Sequence, residues 1–178
     1  EMLGFEEPDI YDFTTELGEE LIVNQSFTEL SGDEGLAMSW GTTLAYVTPS
    51  IPDGQRITWA SGAPTYETRI YQQDIFETDK QYRISFEIKG GGKPVQNGIQ
   101  LKQGIGGTRL ALADVSVTAD FVQHTYDVVA GLNTEANIQD TPINFAGGHY
   151  GGWDSIGDFM EIRNVSVREI INTQSIEF

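Results

Sequence analysis

Residues 144–155 read "NFAGGHYGGWDS", which sets His149, Tyr150, Trp153 and Asp154 among four glycines. Aromatic rings beside carboxylates and amides are the mixture that holds sugars: the ring covers an apolar C–H face and the polar groups bond the hydroxyls. Glycine allows the backbone to approach a ligand closely. A second set of the same chemistry lies upstream in Trp59, Tyr66, Arg69, Tyr71 and Gln73. Under period-two alternation Arg69, Tyr71 and Gln73 share one side of a strand, and Ile70 and Gln72 point the other way. Both sets also admit a plainer reading, because three Trp and seven Tyr are readily consumed as core plugs or sheet-edge packing with the polar tip in water.

Catalytic chemistry finds less support. Glycoside hydrolysis needs two carboxyls roughly 5–10 Å apart across a cleft. With 27 acidic residues such pairs arise by chance, and no local pattern marks one. The sequence contains no nucleophile elbow, no P-loop and no zinc-protease motif. "GIGGTR" (104–109) lacks the spacing and the following helix of a dinucleotide fingerprint and reads as a tight turn, and "KGGGKP" (89–94) reads as a long hairpin turn. His124 and His149 are the only histidines, too few on their own for zinc. The chain is expected not to be an enzyme.

Charge narrows the partners. The formal net charge is -17, and residues 1–55 hold 12 acidic side chains with no Lys or Arg. A nucleic-acid partner would need a basic stripe, and an anionic membrane surface is disfavoured for the same reason. No run of about 18 apolar residues marks a spanning helix. Without cysteine neither disulfides nor thiolate metal sites arise.

The elements that must position these residues read as strands. In "YRISFEIK" (82–89) Tyr82, Ile84, Phe86 and Ile88 face one way and Arg83, Ser85, Glu87 and Lys89 the other, the mark of a half-buried strand. Shorter runs follow the same rule at 21–27, 43–48, 55–61, 68–76, 97–103, 109–117, 124–130, 141–147 and 159–170, divided by Gly, Pro and Asp turns. No segment shows ten residues of helical periodicity. The expected fold is all-β, an antiparallel two-sheet β-sandwich of jelly-roll type with an extended N-terminal arm. Residues 1–19 form the acidic arm, 20–171 the sandwich and 172–178 a tail.

The order of landmarks resembles a known family. "GEELIVNQSFTE" (18–29), Trp40, "QQDIFETDKQYRISFEIKG" (72–90), "FVQHTYDVVAG" (121–131) and "DFMEIRNVSVREI" (158–170) resemble the carbohydrate-binding modules that accompany xylanases and cellulases. "LGEELIVNQSF" and "IRNVSVREI" are also similar to lectin-like domains in virion structural proteins of tailed bacteriophages. The resemblance implies a non-catalytic sandwich with Trp40 in the core, and glycan binding or scaffold use. Many such modules hold a structural calcium, for which Glu29, Glu161 and Asn164 would be the ligands here; the other reading of these three is as solvated strand-edge polar groups. Gln25 and Asn164 depart from the pattern, and Asn164 brings no charge to a cation that prefers hard anionic oxygens.

Two functions follow from this reading. One is a virion structural, capsid-decoration or adhesion protein, displayed on the particle surface, meeting polysaccharide through its loops and other virion proteins or its own copies through residues 1–19. The other is a secreted accessory carbohydrate-binding module of a polysaccharide-degrading enzyme. The acidic, aromatic-studded arm favours the first, because a modular hydrolase would join its neighbour through a Ser, Thr or Pro-rich linker.

Overall fold

The computed structural model describes residues 12–27, 30–31, 36–37, 41–43, 46–48, 54–59, 68–104, 110–131, 142–147 and 155–175. The chain opens with β1 (Asp12–Glu20), followed by four short strands, β2 (Leu30–Ser31), β3 (Leu36–Ala37), β4 (Gly41–Thr43) and β5 (Tyr46–Thr48). Next come β6 (Gln55–Thr58), β7 (Thr68–Gln72), β8 (Gln81–Gly91), the one-turn helix α1 (Lys93–Asn97) and β9 (Ile99–Gln103). The remainder is β10 (Leu110–Val115), β11 (Val122–Val129), β12 (Ile143–Gly147) and β13 (Phe159–Ser175).

These strands make the expected antiparallel sandwich. The first sheet runs β11-β8-β13-β6-β5, with β1 laid on β13; the second runs β10-β9-β12-β7-β4, and β2 and β3 form a small ribbon. The alternation read in residues 82–89 is realised in β8, where Ile84, Phe86 and Ile88 are fully buried. They meet Ile70 of β7, Leu101 of β9 and Phe145 of β12 in one core. Phe86 and Phe145 join the two sheets edge to face, with ring centroids 4.8 Å apart, the preferred geometry for an aromatic pair.

Two buried glutamines tie the second sheet to the first. Gln72, at the end of β7, donates to the Val23 carbonyl at 2.8 Å and accepts from the Val23 amide at 2.9 Å. Gln103, at the end of β9, repeats the device on Gly131, donating at 2.9 Å and accepting at 3.0 Å. Both glutamines stand opposite Ile143 of β12. Each side-chain amide thus replaces a strand's backbone partner, as buried polar groups require.

The structure departs from the sequence reading in three places. "KGGGKP" is no simple hairpin turn, because the chain enters α1 directly after Gly92, with Pro94 in the first turn, where a missing N–H costs nothing. Residues 21–27 are not a strand. Asn24 and Phe27 take positive φ of 54° and 57°, the Phe27 amide donates to the Asn24 carbonyl, and Ile22 and Phe27 turn into the core. The strand lies just upstream instead. Residues 12–17, expected in the arm, pair in register with 170–175, so β1 and the end of β13 form a two-stranded ribbon. Glu20 pins its base, its carboxylate accepting from the amides of Ile22 and Val167 and from the Ser166 hydroxyl.

Candidate functional site

The alternation predicted for β7 holds, and register extends it across the second sheet. Tyr71 lies opposite Asn144 of β12, and Asn144 opposite Lys102 of β9. One step along, Arg69 lies opposite Ala146, Ala146 opposite Gln100, and Gln100 opposite Asp114 of β10. Ile70, Leu101 and Phe145 alternate to the other side and enter the core, so these two rows form the outward face.

That face is buried at its centre and exposed at one flank. Arg69 is 8% exposed and Asn144 and Ala146 are buried; Tyr71 and Lys102 are half-buried, and Gln100 and Asp114 are exposed. The Gln100 amide donates to Asp114 Oδ1 at 3.2 Å. Asn144 donates its amide to the Gly104 carbonyl, and its Oδ1 finds no donor among the described residues. Burial first, and then the neighbouring Arg69 guanidinium, hold the Lys102 ammonium below the usual lysine range, with Asp114 opposing. Hydroxyl acceptors, amide and cationic donors, and a phenol ring therefore share one surface.

The residues named from sequence divide accordingly. Arg69 and Tyr71 are brought together on this face, with Gln73 exposed just beyond the end of β7. Trp59 does not join them. It follows β6 in the first sheet, is 4% exposed and packs in the core, its backbone bonded to Asp158 and Gly157, so its ring is spent on packing. His149, Tyr150, Trp153 and Asp154 lie outside the described residues, as do Trp40 and Tyr66. Gln100, Lys102, Asp114 and Asn144 complete the face and escaped the sequence reading. Alternation in "NGIQLKQ" separates Gln100 and Lys102 from Leu101, yet only strand pairing shows that they neighbour Tyr71 and Arg69.

The outward face of the first sheet is a ladder of ion pairs. Glu161 is 2% exposed, with one carboxylate oxygen 2.7 Å from Arg56 and the other 2.8 Å from Lys89. Arg163 pairs with Glu87, which also accepts from the Asn164 amide at 2.8 Å, and Arg83 grips Asp127 through two bonds of 2.7 Å. Phe121 and Phe159 lie under these cations, with the Arg163 guanidinium 3.9 Å from the Phe121 centroid and that of Arg56 4.0 Å from that of Phe159. Of the residues named for calcium, Glu161 is thus engaged by Arg56 and Lys89, and Asn164 by Glu87 through its amide N–H. Asn164 occupies the bulge of β13, at φ 52°, a conformation asparagine tolerates. Glu29 lies outside the described residues. Among the described residues no group of three or more His, Asp or Glu is placed to hold a metal.

No protein-family model and no curated protein matches the sequence. Solved structures do match. A family 4 carbohydrate-binding module aligns with a TM-score of 0.54 at 16% identity, over 83% of this chain and 99% of its own. A family 29 carbohydrate-binding module aligns at 0.51 and 14% identity, over 89% and 86%. A Stig cyclase from Fischerella sp. TAU, solved with an indole ligand, aligns at 0.56 and 14% identity, over 88% and 98%. The fold is thus that of the carbohydrate-binding modules, and it is shared with cyclases. At this identity the likeness concerns the fold alone, and function has to be argued from the site.

Proposed function

We propose that the chain is a non-catalytic, lectin-like sandwich that binds glycan on the outward face of its second sheet. The observation that carries this is the row Tyr71, Asn144 and Lys102 across three adjacent strands, with Arg69 and Gln100 in the next row. A phenol ring beside amide and cationic donors suits a sugar's apolar face and its hydroxyls together. The cyclase fold neighbours raise a chemical role as the competing reading. Against it, the described strands give this face a single carboxylate, Asp114, which is exposed and hydrogen-bonded to Gln100, a poor setting for an acid that must transfer a proton in a dry site.

The test is affinity electrophoresis in gels containing soluble polysaccharides, run on the wild type and on Tyr71→Ala. Retardation that Tyr71→Ala weakens about tenfold, roughly the loss of one stacking contact with its bonded hydroxyl, supports this face. Retardation unchanged by Tyr71→Ala moves binding to another surface, and wild-type protein that no polysaccharide retards overturns the reading.

The setting we propose is the surface of a bacteriophage particle, on the likeness of "LGEELIVNQSF" and "IRNVSVREI" to virion lectin-like domains, with other virion proteins or further copies as partners through residues 1–19. Antibody labelling of purified particles tests it. Labelled particles support display, whereas antigen confined to the medium places the chain with secreted accessory modules.

A further inference from the structure

A sheet edge resists pairing with other chains when it is short, bulged or charged, and the edges formed by β1, β4, β5 and β10 each meet one of those conditions. β4 and β5 are three residues long, β10 shifts register between Ala111 and Ala113, and β1 carries Asp12, Glu16, Glu19 and Glu20 as well as a bulge. β11 lacks these defences. Its eight residues, "VQHTYDVV", run beside β8 without a register shift and include no Lys, Arg or Pro. Asp127 is its one charge, and Arg83 of β8 holds that carboxylate through two bonds of 2.7 Å. No described strand pairs with the other edge of β11.

Its side chains are unfinished in the same way. Val122, His124, Tyr126 and Val128 stand opposite Ile88, Phe86, Ile84 and Tyr82, which places them on the core-facing side. Yet Val122 is 40% exposed and the other three are half-buried. The His124 and Tyr126 rings lie within 6° of parallel, a flat strip at the margin of the core.

We infer that this edge pairs with β11 of a second copy of the chain, antiparallel across a two-fold axis, so that the first sheet continues from one molecule into the other. Residues opposite each other must share a side of the sheet, which puts a residue on the axis. With Thr125 there, it meets the partner's Thr125, while His124 meets the partner's Tyr126, Gln123 the partner's Asp127 and Val122 the partner's Val128. Hydroxyl faces hydroxyl, ring faces ring, amide faces carboxylate and aliphatic faces aliphatic, and no like charges meet. An axis at Tyr126 would instead set Gln123 against Val129 and His124 against Val128. A two-fold contact needs a patch complementary to itself, and β11 is one. Two chains of net charge -17 repel, but here they meet without setting carboxylate against carboxylate. Eight residues a side fall short of the roughly 20–30 of a standard interface, so the dimer is weak and forms as concentration rises. The surface belongs to the first sheet, and the inference stands apart from the glycan reading.

Sedimentation velocity across a concentration series tests it, on the wild type, Gln123→Asp, Gln123→Lys and Gln96→Lys. Gln123→Asp sets a carboxylate against the partner's Asp127, twice by symmetry, and Gln123→Lys sets an ammonium there. Gln96→Lys repeats the charge change on α1, at a position that is likewise exposed. We expect a dimer whose Kd rises about fivefold in Gln123→Asp and falls by a similar factor in Gln123→Lys, the scale of two cross-strand charge pairs, and moves less in Gln96→Lys. Thr125→Cys, in a chain with no other cysteine, should form a disulfide-linked dimer under copper phenanthroline, because opposed Cα atoms in an antiparallel pair lie about 4.5–5.5 Å apart, within disulfide reach. Circular dichroism checks the fold of each variant. A wild type that stays monomeric up to about 1 mM overturns the inference. So does a dimer indifferent to Gln123→Asp, one that responds equally to Gln123→Lys and Gln96→Lys, or a Thr125→Cys chain left uncrosslinked at concentrations where the dimer forms.

Discussion

Gly92 takes φ 75°, and a Cβ there would lie 1.9 Å from Asp158 Oδ1. That carboxylate is 4% exposed and accepts from the amides of Lys93 and Ser155, so it cannot move aside without leaving donors unmet. Gly92→Ala should cost about 2 kcal/mol or more in urea unfolding, combining a strained dihedral with a steric clash; a loss within 0.5 kcal/mol would mean the loop relaxes freely. His124 stacks on Phe86 and Tyr126, with centroids 5.5 and 6.1 Å away. Burial holds its imidazole below the usual histidine range, the Ser116 backbone opposing. The unfolded chain takes up that proton near pH 6.5, about the free value, and the folded chain only at lower pH. Stability therefore falls as pH drops below about 6.5, and the loss stops growing below the folded-state value. Glu87 behaves as a second, more acidic step. Asn164 first and Arg163 next hold its carboxylate below the usual range, so its contribution is present above about pH 4.3 and disappears as pH falls through the lower folded value. A melting temperature lower at pH 5.5 than at 7.5, with the gap narrowed by His124→Phe, is the expected result; an unchanged gap would assign the effect elsewhere. Roles of single residues were partly legible. Arg69 and Tyr71 could be placed on one face from alternation, but nothing local distinguishes Trp59 in the core from a ring on the surface.

Pairing between elements is where local pattern stops informing. Alternation in 82–89 identifies β8 and its buried side, yet which strands flank it depends on contacts far apart in sequence, such as Arg163 with Glu87. The run 21–27 has strand composition and becomes a turn because Asn24 and Phe27 adopt positive φ, a choice made by burying Ile22 and Phe27. Gln72 illustrates the same limit, for its neighbour Val23 is 49 residues away. Gln72→Leu should cost about 1–3 kcal/mol, because two hydrogen bonds, to the Val23 amide and carbonyl, are lost together. Chemical unfolding of this variant beside Gln73→Leu, which alters an exposed position, provides the check: equal losses would deny Gln72 its tie between the sheets. The β1 strand makes a separate case. It covers the edge of β13 from residue 168 onward, and an uncovered edge invites pairing with other chains. Removing residues 1–19 should leave strand content by circular dichroism near that of the full chain while sedimentation velocity reveals self-association. A truncated protein that stays monomeric would mean that the edge needs no cover.

At the scale of the whole molecule, the outward face of the first sheet is laced by ion pairs between neighbouring strands, Glu161 with Arg56 and Lys89, Glu87 with Arg163 and Asp127 with Arg83. The fold class was legible because alternation and turn spacing act locally; the proposed binding face was not, because it is assembled from β7, β9, β10 and β12. The ribbon has a mechanical consequence. Since Asp12 stands beside Ser175, anything joined before the one or after the other leaves from a single pole. Tension between such attachments would peel β1 from β13 one hydrogen bond at a time, from the outer end inward, because antiparallel bonds run across the strands. The ribbon would yield to a gentle pull as a zipper does, while the sandwich behind it stays closed.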